Sequence, residues 1–143
     1  MLLNQNQMRD AVLDKVFELY PLWREEYGFD QDDEECVQEF LQFMPEIEDK
    51  EQLRKLMGLS YVHILDVAKE GVAYIGFQFG CTWENEHGLG IMTHKNRVVD
   101  VGQAADSSSP WKAMRDAGLE IPKYEPKPKP PEIEPKNTQL ELF

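Results

Sequence analysis

Apolar residues recur at three- and four-residue steps through Met8, Val12, Val16, Leu19, Tyr20, Trp23 and Tyr27, which is one face of an amphipathic helix beginning near Asn6. Pro21 falls inside this pattern. Proline offers no N–H to the helix ladder and crowds the preceding turn, so a break is expected after Tyr20, with a short second turn ending near Gly28. A second apolar face follows in Cys36, Val37, Phe40, Leu41 and Met44, closed by Pro45, with Asp32 and Glu35 spaced as a capping box at its start. Cys36 on that face is expected to be an inert core thiol. A third short helix is predicted from Lys50, capped by Asp49 and Gln52, with Leu53, Leu56 and Met57 facing inward and Gly58 as a left-handed stop.

From Leu59 the pattern changes to β-branched and aromatic residues. Tyr61 to Leu65 reads as a strand, Lys69-Glu70-Gly71 as a hairpin turn, and Val72 to Phe79 as the return strand. In the return strand Ala73, Ile75, Phe77 and Phe79 share one side, with Val72, Tyr74, Gly76 and Gln78 opposite, the alternation of a half-buried antiparallel strand. Leu89 to Thr93 and Arg97 to Val101 form a second hairpin around Lys95-Asn96, where asparagine would take the tight-turn conformation. Ser109 and Pro110 then open a closing helix that runs to Gly118. The fold expected is α+β: N-terminal helices over 1–58, then a four-stranded antiparallel meander and a short closing helix over 59–121 of the same domain. The remainder is a Pro/Lys/Glu-rich linker over 122–138, extended or disordered, and a docking peptide over 139–143.

Composition narrows the function classes. The chain has 143 residues, enough for a core without disulfides or a structural metal, and its two cysteines lack the paired spacing of a redox or zinc motif. No apolar run approaches the roughly 18 residues of a membrane span, and the N-terminal residues lack a secretory pattern, so a cytoplasmic protein is expected. The formal net charge is -12, and residues 1–57 carry 15 acidic against 6 basic side chains. Such a surface repels phosphate backbones, which argues against direct nucleic-acid binding and leaves a basic protein as a possible partner of the acidic helices. Asp30 to Glu35 is not a calcium loop, because the glycine and the closing glutamate that such a loop requires are replaced by Glu35 and Leu41.

The densest candidate chemistry lies in Gly80-Cys81-Thr82-Trp83-Glu84-Asn85-Glu86-His87-Gly88-Leu89-Gly90. Glu84, Glu86 and His87, with His94 downstream, carry donor atoms suited to a metal, and Glu86 beside His87 is a conceivable acid/base pair. Neighbours in an extended strand point to opposite sides, and a structural turn held by indole packing and carboxylate or imidazole hydrogen bonds is the favoured reading. No cofactor is called for. His63, inside an apolar strand, is expected to be a hydrogen-bonded structural histidine.

Cys81, Trp83, Glu86, His87, Gly88, Leu89 and Gly90, followed by Gly102, Ala105 and Asp106, make the region from about Leu53 to Asp106 resemble a bacterial family of unknown function common in Bacteroidetes. Its signature is Cys-x-Trp-Asp-x-Glu-His-Gly-Leu-Gly before a strand pair and a Gly-x-Ala-Asp turn. Here Glu84 replaces the aspartate and the closing turn carries one extra residue within Gln103-Ala104-Ala105. The resemblance brings no established activity, and through toxin-immunity neighbourhoods it implies binding rather than chemistry. A second resemblance lies in Gln139-Leu140-Glu141-Leu142-Phe143, which is similar to the pentapeptide by which bacterial replication and repair proteins dock on the replicative sliding clamp. Leu142 and Phe143 would be the apolar anchors, with Gln139 and Leu140 completing the contact. The six prolines among the 15 residues from Pro122 to Lys136 would act as a semi-rigid spacer, spanning roughly 45 Å at about 3.1 Å per residue. The reading that results is a non-enzymatic interaction protein tethered to the sliding clamp. The alternatives are an acidic immunity-type protein that neutralises a basic toxin and a metal-dependent enzyme using the Trp83–His87 motif.

Overall fold

The computed structural model describes residues 5–27, 32–122 and 128. The linker beyond Pro122, apart from Pro128, and the pentapeptide Gln139–Phe143 lie outside the described residues. Helix α1 spans Gln5–Tyr27 and α2 spans Glu34–Phe43, followed by a 3-10 turn over Lys50–Lys55. Four strands follow, β1 over Met57–Lys69, β2 over Val72–Cys81, β3 over Glu84–His94 and β4 over Arg97–Gly102. A second 3-10 turn over Ala104–Ser108 and helix α3 over Pro110–Ala117 complete the body. The strands pair in the order β1-β2-β3-β4, each antiparallel to the next, which is the α+β meander expected. Among the described residues no helix is long and apolar enough to cross a membrane.

Both faces of the sheet are covered. One carries a core of Val12, Leu13, Val16 and Tyr20 from α1 against Cys81, Leu89 and Ile91, with Leu53 and Met44 at its edge. The other carries a smaller core of Leu65, Val67, Tyr74 and Met92 against Ala113 of α3. The half-buried strand expected for β2 is therefore corrected: Tyr74 is fully buried on the side opposite Phe77 and Phe79. The reason is steric. Gly76, Gly90 and Gly102 clear a flat area on this second face, and the second 3-10 turn lies directly on it. A Cβ added at Gly76 would come within 2.6 Å of the Ser107 carbonyl carbon, where ordinary carbon contacts are about 3.5 to 4.0 Å.

Several local expectations also shift. The helix does not break at Pro21, and α1 continues to Tyr27. The Tyr20 hydroxyl donates to the Pro45 carbonyl at 2.6 Å, and Arg24 Nε donates to the Met44 carbonyl at 3.0 Å. These bonds fix the helix on both sides of the proline, whose own side faces solvent. The cap of α2 is Asp33 rather than Asp32, with its carboxylate accepting from the Glu35 and Cys36 amides. Helix α2 buries none of its own residues: Leu41 is exposed, Cys36 is only half-buried and Phe40 is partly buried against the α1 core, so this face enters the core only at Met44, just past the helix. Asp49 and Gln52 do form a capping box, although the turn they open is 3-10 and not α. Gly58 does not stop it in the left-handed conformation; the chain runs straight into β1 at Met57. Glu70 and Gly71 take positive φ and make the first hairpin turn, whereas in the second the positive φ belongs to Lys95 and not to Asn96. The side chains of Glu70 and Lys95 pair across these two turns.

Candidate functional site

The signature stretch forms the hairpin joining β2 to β3. Cys81 pairs with Glu84 across the two-residue turn Thr82-Trp83. The Thr82 amide donates to the Leu56 carbonyl at 2.8 Å and its hydroxyl to the Phe43 carbonyl at 2.7 Å, so the turn is bound to the end of α2 and to the first 3-10 turn. Trp83 projects against α1, meeting Tyr20 edge-on at 5.5 Å between ring centroids and Trp23 at 6.0 Å. Aromatic pairs of this geometry add about 0.5 to 1.5 kcal/mol beyond their buried area.

Glu84 is the electrostatic centre of the turn. Its Oε2 accepts from the Tyr27 hydroxyl at 3.1 Å, and its Oε1 accepts from the His87 amide at 3.3 Å with His87 Nδ1 at the same distance. The His87 amide, and then the Tyr27 and His87 side chains, hold the Glu84 carboxyl below its ordinary range. Tyr27 moves the other way, to about 12, through burial and its bond to Glu84. Cys81 is buried, its thiol donates to the Glu84 carbonyl at 3.6 Å, and burial pushes its pKa up to about 11, so it stays a protonated thiol at neutral pH. Glu86 and His87 are exposed.

The remaining sequence candidates lie elsewhere. His94 is at the far end of β3, roughly 34 Å of extended strand from Glu84. It stacks on Tyr74 at 4.5 Å, and its Nε2 lies 3.0 Å from the Lys69 carbonyl and 3.2 Å from that of Val72. Glu84, Glu86, His87 and His94 are therefore not brought together, and among the described residues no group of three or more His, Cys, Asp or Glu side chains is gathered to hold a metal. Asp106 caps the second 3-10 turn, accepting from the Gln103 amide at 2.9 Å and facing Lys112 at 3.3 Å. His63 is, as expected, hydrogen-bonded in its strand, 3.0 Å from Gln78 Oε1.

A cleft of about 290 Å³ opens beside the signature, lined by Trp23, Tyr27, Trp83, Glu84 and Gln103 among others. Trp23, Tyr27 and Gln103 line it from outside the motif, and no local pattern in the sequence ties Tyr27 or Gln103 to it. A polar cluster the sequence did not announce lies at the opposite end of the sheet. There Arg97 forms a two-pronged pair with Asp116 at 3.1 and 2.7 Å, and the Tyr74 hydroxyl donates to the same carboxylate at 2.6 Å. The Arg97 guanidinium, followed by the Tyr74 hydroxyl, holds the Asp116 carboxyl down at about 2, while burial and this bond raise Tyr74 to about 12.

The sequence profile of a family described as "Domain of unknown function (DUF6985)" matches residues 1–108. The chain is a member of that family. The DUF6985 region is wider than the stretch from Leu53 to Asp106 that carries the signature, taking in α1, α2 and the first 3-10 turn. It ends just short of α3, yet Ala113 of that helix is fully buried against the sheet, so the physical unit continues beyond the matched residues. No curated protein and no solved structure matches this DUF6985 chain.

Proposed function

We propose that this DUF6985 protein is a non-enzymatic interaction protein whose terminal pentapeptide docks on the bacterial replicative sliding clamp. The observation that carries the reading is Gln139-Leu140-Glu141-Leu142-Phe143 itself, set beyond a proline-rich spacer and past α3, which closes at a left-handed Gly118. The signature is occupied with the fold itself, since Thr82, Trp83 and Glu84 each join the hairpin to a helix or a neighbouring turn. A spacer of this composition limits the entropy lost when the anchors seat. Clamp binding is expected at micromolar strength and to be abolished by Leu142→Ala combined with Phe143→Ala. Fluorescence anisotropy of the labelled full chain titrated with clamp tests this, and an unchanged signal at saturating clamp refutes it.

The acidic helices support a second reading, neutralisation of a basic protein. Asp33, Glu34, Glu35 and Glu39 on and before α2 are all exposed, and that helix is attached to the body without burying a residue of its own. Binding of a basic partner would weaken steeply with salt and with Glu34→Lys plus Glu35→Lys, whereas clamp docking would not respond to those two changes.

A further inference from the structure

Strand β1 is an edge of the sheet, 13 residues long, and among the described residues nothing pairs with its outer side. Natural edges are guarded by charge, shortness or bulges. The other edge, β4, has 6 residues and carries Arg97 and Asp100, both in ion pairs. In β1 the register slips between Leu59 and Tyr61 and again between Ile64 and Ala68, leaving Tyr61-Val62-His63-Ile64 as a regular stretch between two irregularities. From Leu59 to Leu65 there is no Asp, Glu, Lys or Arg, in a chain of which 29% is charged. Its apolar side chains are nonetheless turned outward, with Tyr61 63%, Val62 50% and Ile64 77% exposed. On the α1 side this stripe continues through Leu59, 55% exposed, into a cavity of about 310 Å³ between α1 and the sheet, floored by Met8, Val12, Phe77 and Phe79.

We propose that this edge pairs with a second copy of the chain, β1 against β1 antiparallel about a two-fold axis, to give a continuous eight-stranded sheet. The self-match decides the occupant. A two-fold normal to the sheet keeps each face on its own side, so the axis must pass between the two facing copies of one residue, which fixes the register on that residue. Centred on His63, the register sets Val62 opposite the partner's Ile64, and Ile64 opposite its Val62, on the α1 side. Tyr61 then faces the partner's Leu65 on the α3 side. Four β-branched side chains become one stripe, the cross-strand pairing that stabilises sheets. Asp66, the nearest acid, falls outside this ladder, so the acidic bodies meet without like charges directly opposed. The pairing is independent of clamp docking.

Sedimentation of the full chain from about 1 to 100 μM tests it. Dimers are expected in that range, and Ile64→Lys, at a solvent-facing position that leaves the cores intact, is expected to weaken them more than tenfold because symmetry places the lysine twice in the interface. The combined Leu142→Ala and Phe143→Ala variant should dimerise as the wild type does while losing the clamp. Monomers throughout, or dimers indifferent to Ile64→Lys, overturn the proposal. Dimers lost in the tail variant would overturn it too, because the tail, not a second β1, would then occupy the edge.

Discussion

Gly76→Ala tests the architecture at its tightest point. The added methyl group would lie 2.6 Å from the Ser107 carbonyl carbon and 3.2 Å from its Cα, with the carbonyl oxygen nearer still. Backbone cannot swing aside as a side chain does, so the second 3-10 turn must lift by more than about 1 Å to clear the carbonyl oxygen as well as its carbon. That lift is resisted. The Ser107 side chain is fully buried and its hydroxyl donates to the Ala104 carbonyl at 2.6 Å, and Lys112 ties Asp106 of the turn to Asp100 of β4. Forcing an extra carbon into packing of this kind costs about 3 kcal/mol, the upper end of the overpacking range. For a body of this size each kcal/mol moves the melting temperature by about 3 to 5 °C, so a fall of about 10 °C or more is expected in a thermal melt followed by circular dichroism. Gly58→Ala is the control, since a Cβ there meets nothing within 4 Å and its φ is not positive; it should change stability by less than about 0.5 kcal/mol. If Gly76→Ala melts within about 2 °C of the wild type, the turn does not rest on the sheet as described.

Trp83→Ala removes the ring that meets Tyr20 and Trp23 and should destabilise by about 3 to 4 kcal/mol in a urea titration, with Trp83→Phe recovering part of the loss. Asp116 supplies a pH dependence: its folded pKa, about 2, lies below the ordinary aspartate value, so its contribution is present above about pH 4 and is lost as pH falls toward 2. Solvent screening brings that contribution to about 1 kcal/mol, and Asp116→Asn should flatten this part of the stability profile between those limits. Cys81, buried and protonated up to about pH 11, should resist iodoacetamide in the folded chain while the half-buried Cys36 reacts first; mass spectrometry of the alkylated protein reads the order.

The elements were legible where local chemistry decides them. Glu70-Gly71 is a tight-turn pair, Asp49 and Gln52 satisfy the first amides of a turn, and Ser109-Pro110 opens a helix; each acts over a few residues. Pro21 misled because the bonds that carry α1 past it come from Pro45 and Met44, about twenty residues away. Gly76, Gly90 and Gly102 lie in strands and serve as bare surface under Gln103 to Ser107, a contact set by tertiary packing alone, which no local pattern announces. The Tyr27–Glu84 and Arg97–Asp116 bonds were invisible for the same reason: neither partner's neighbours in sequence point to the other.

The signature's chemistry reads differently once its contacts are in place. Within nine residues Thr82 reaches the end of α2 and the first 3-10 turn, Trp83 and Glu84 reach α1, and Gly88 and Gly90 admit the backbone of β2 and of the second 3-10 turn. A stretch that must meet this many elements is constrained in residue type as tightly as an active site is, with indole, carboxylate and glycine each chosen for reach or for absence of bulk. Glu84 shows the distinction. Its two oxygens serve Tyr27 and His87 separately, so the carboxylate braces the start of β3 against α1. Function is then to be sought where the fold leaves surface unexplained, at the uncharged edge of β1.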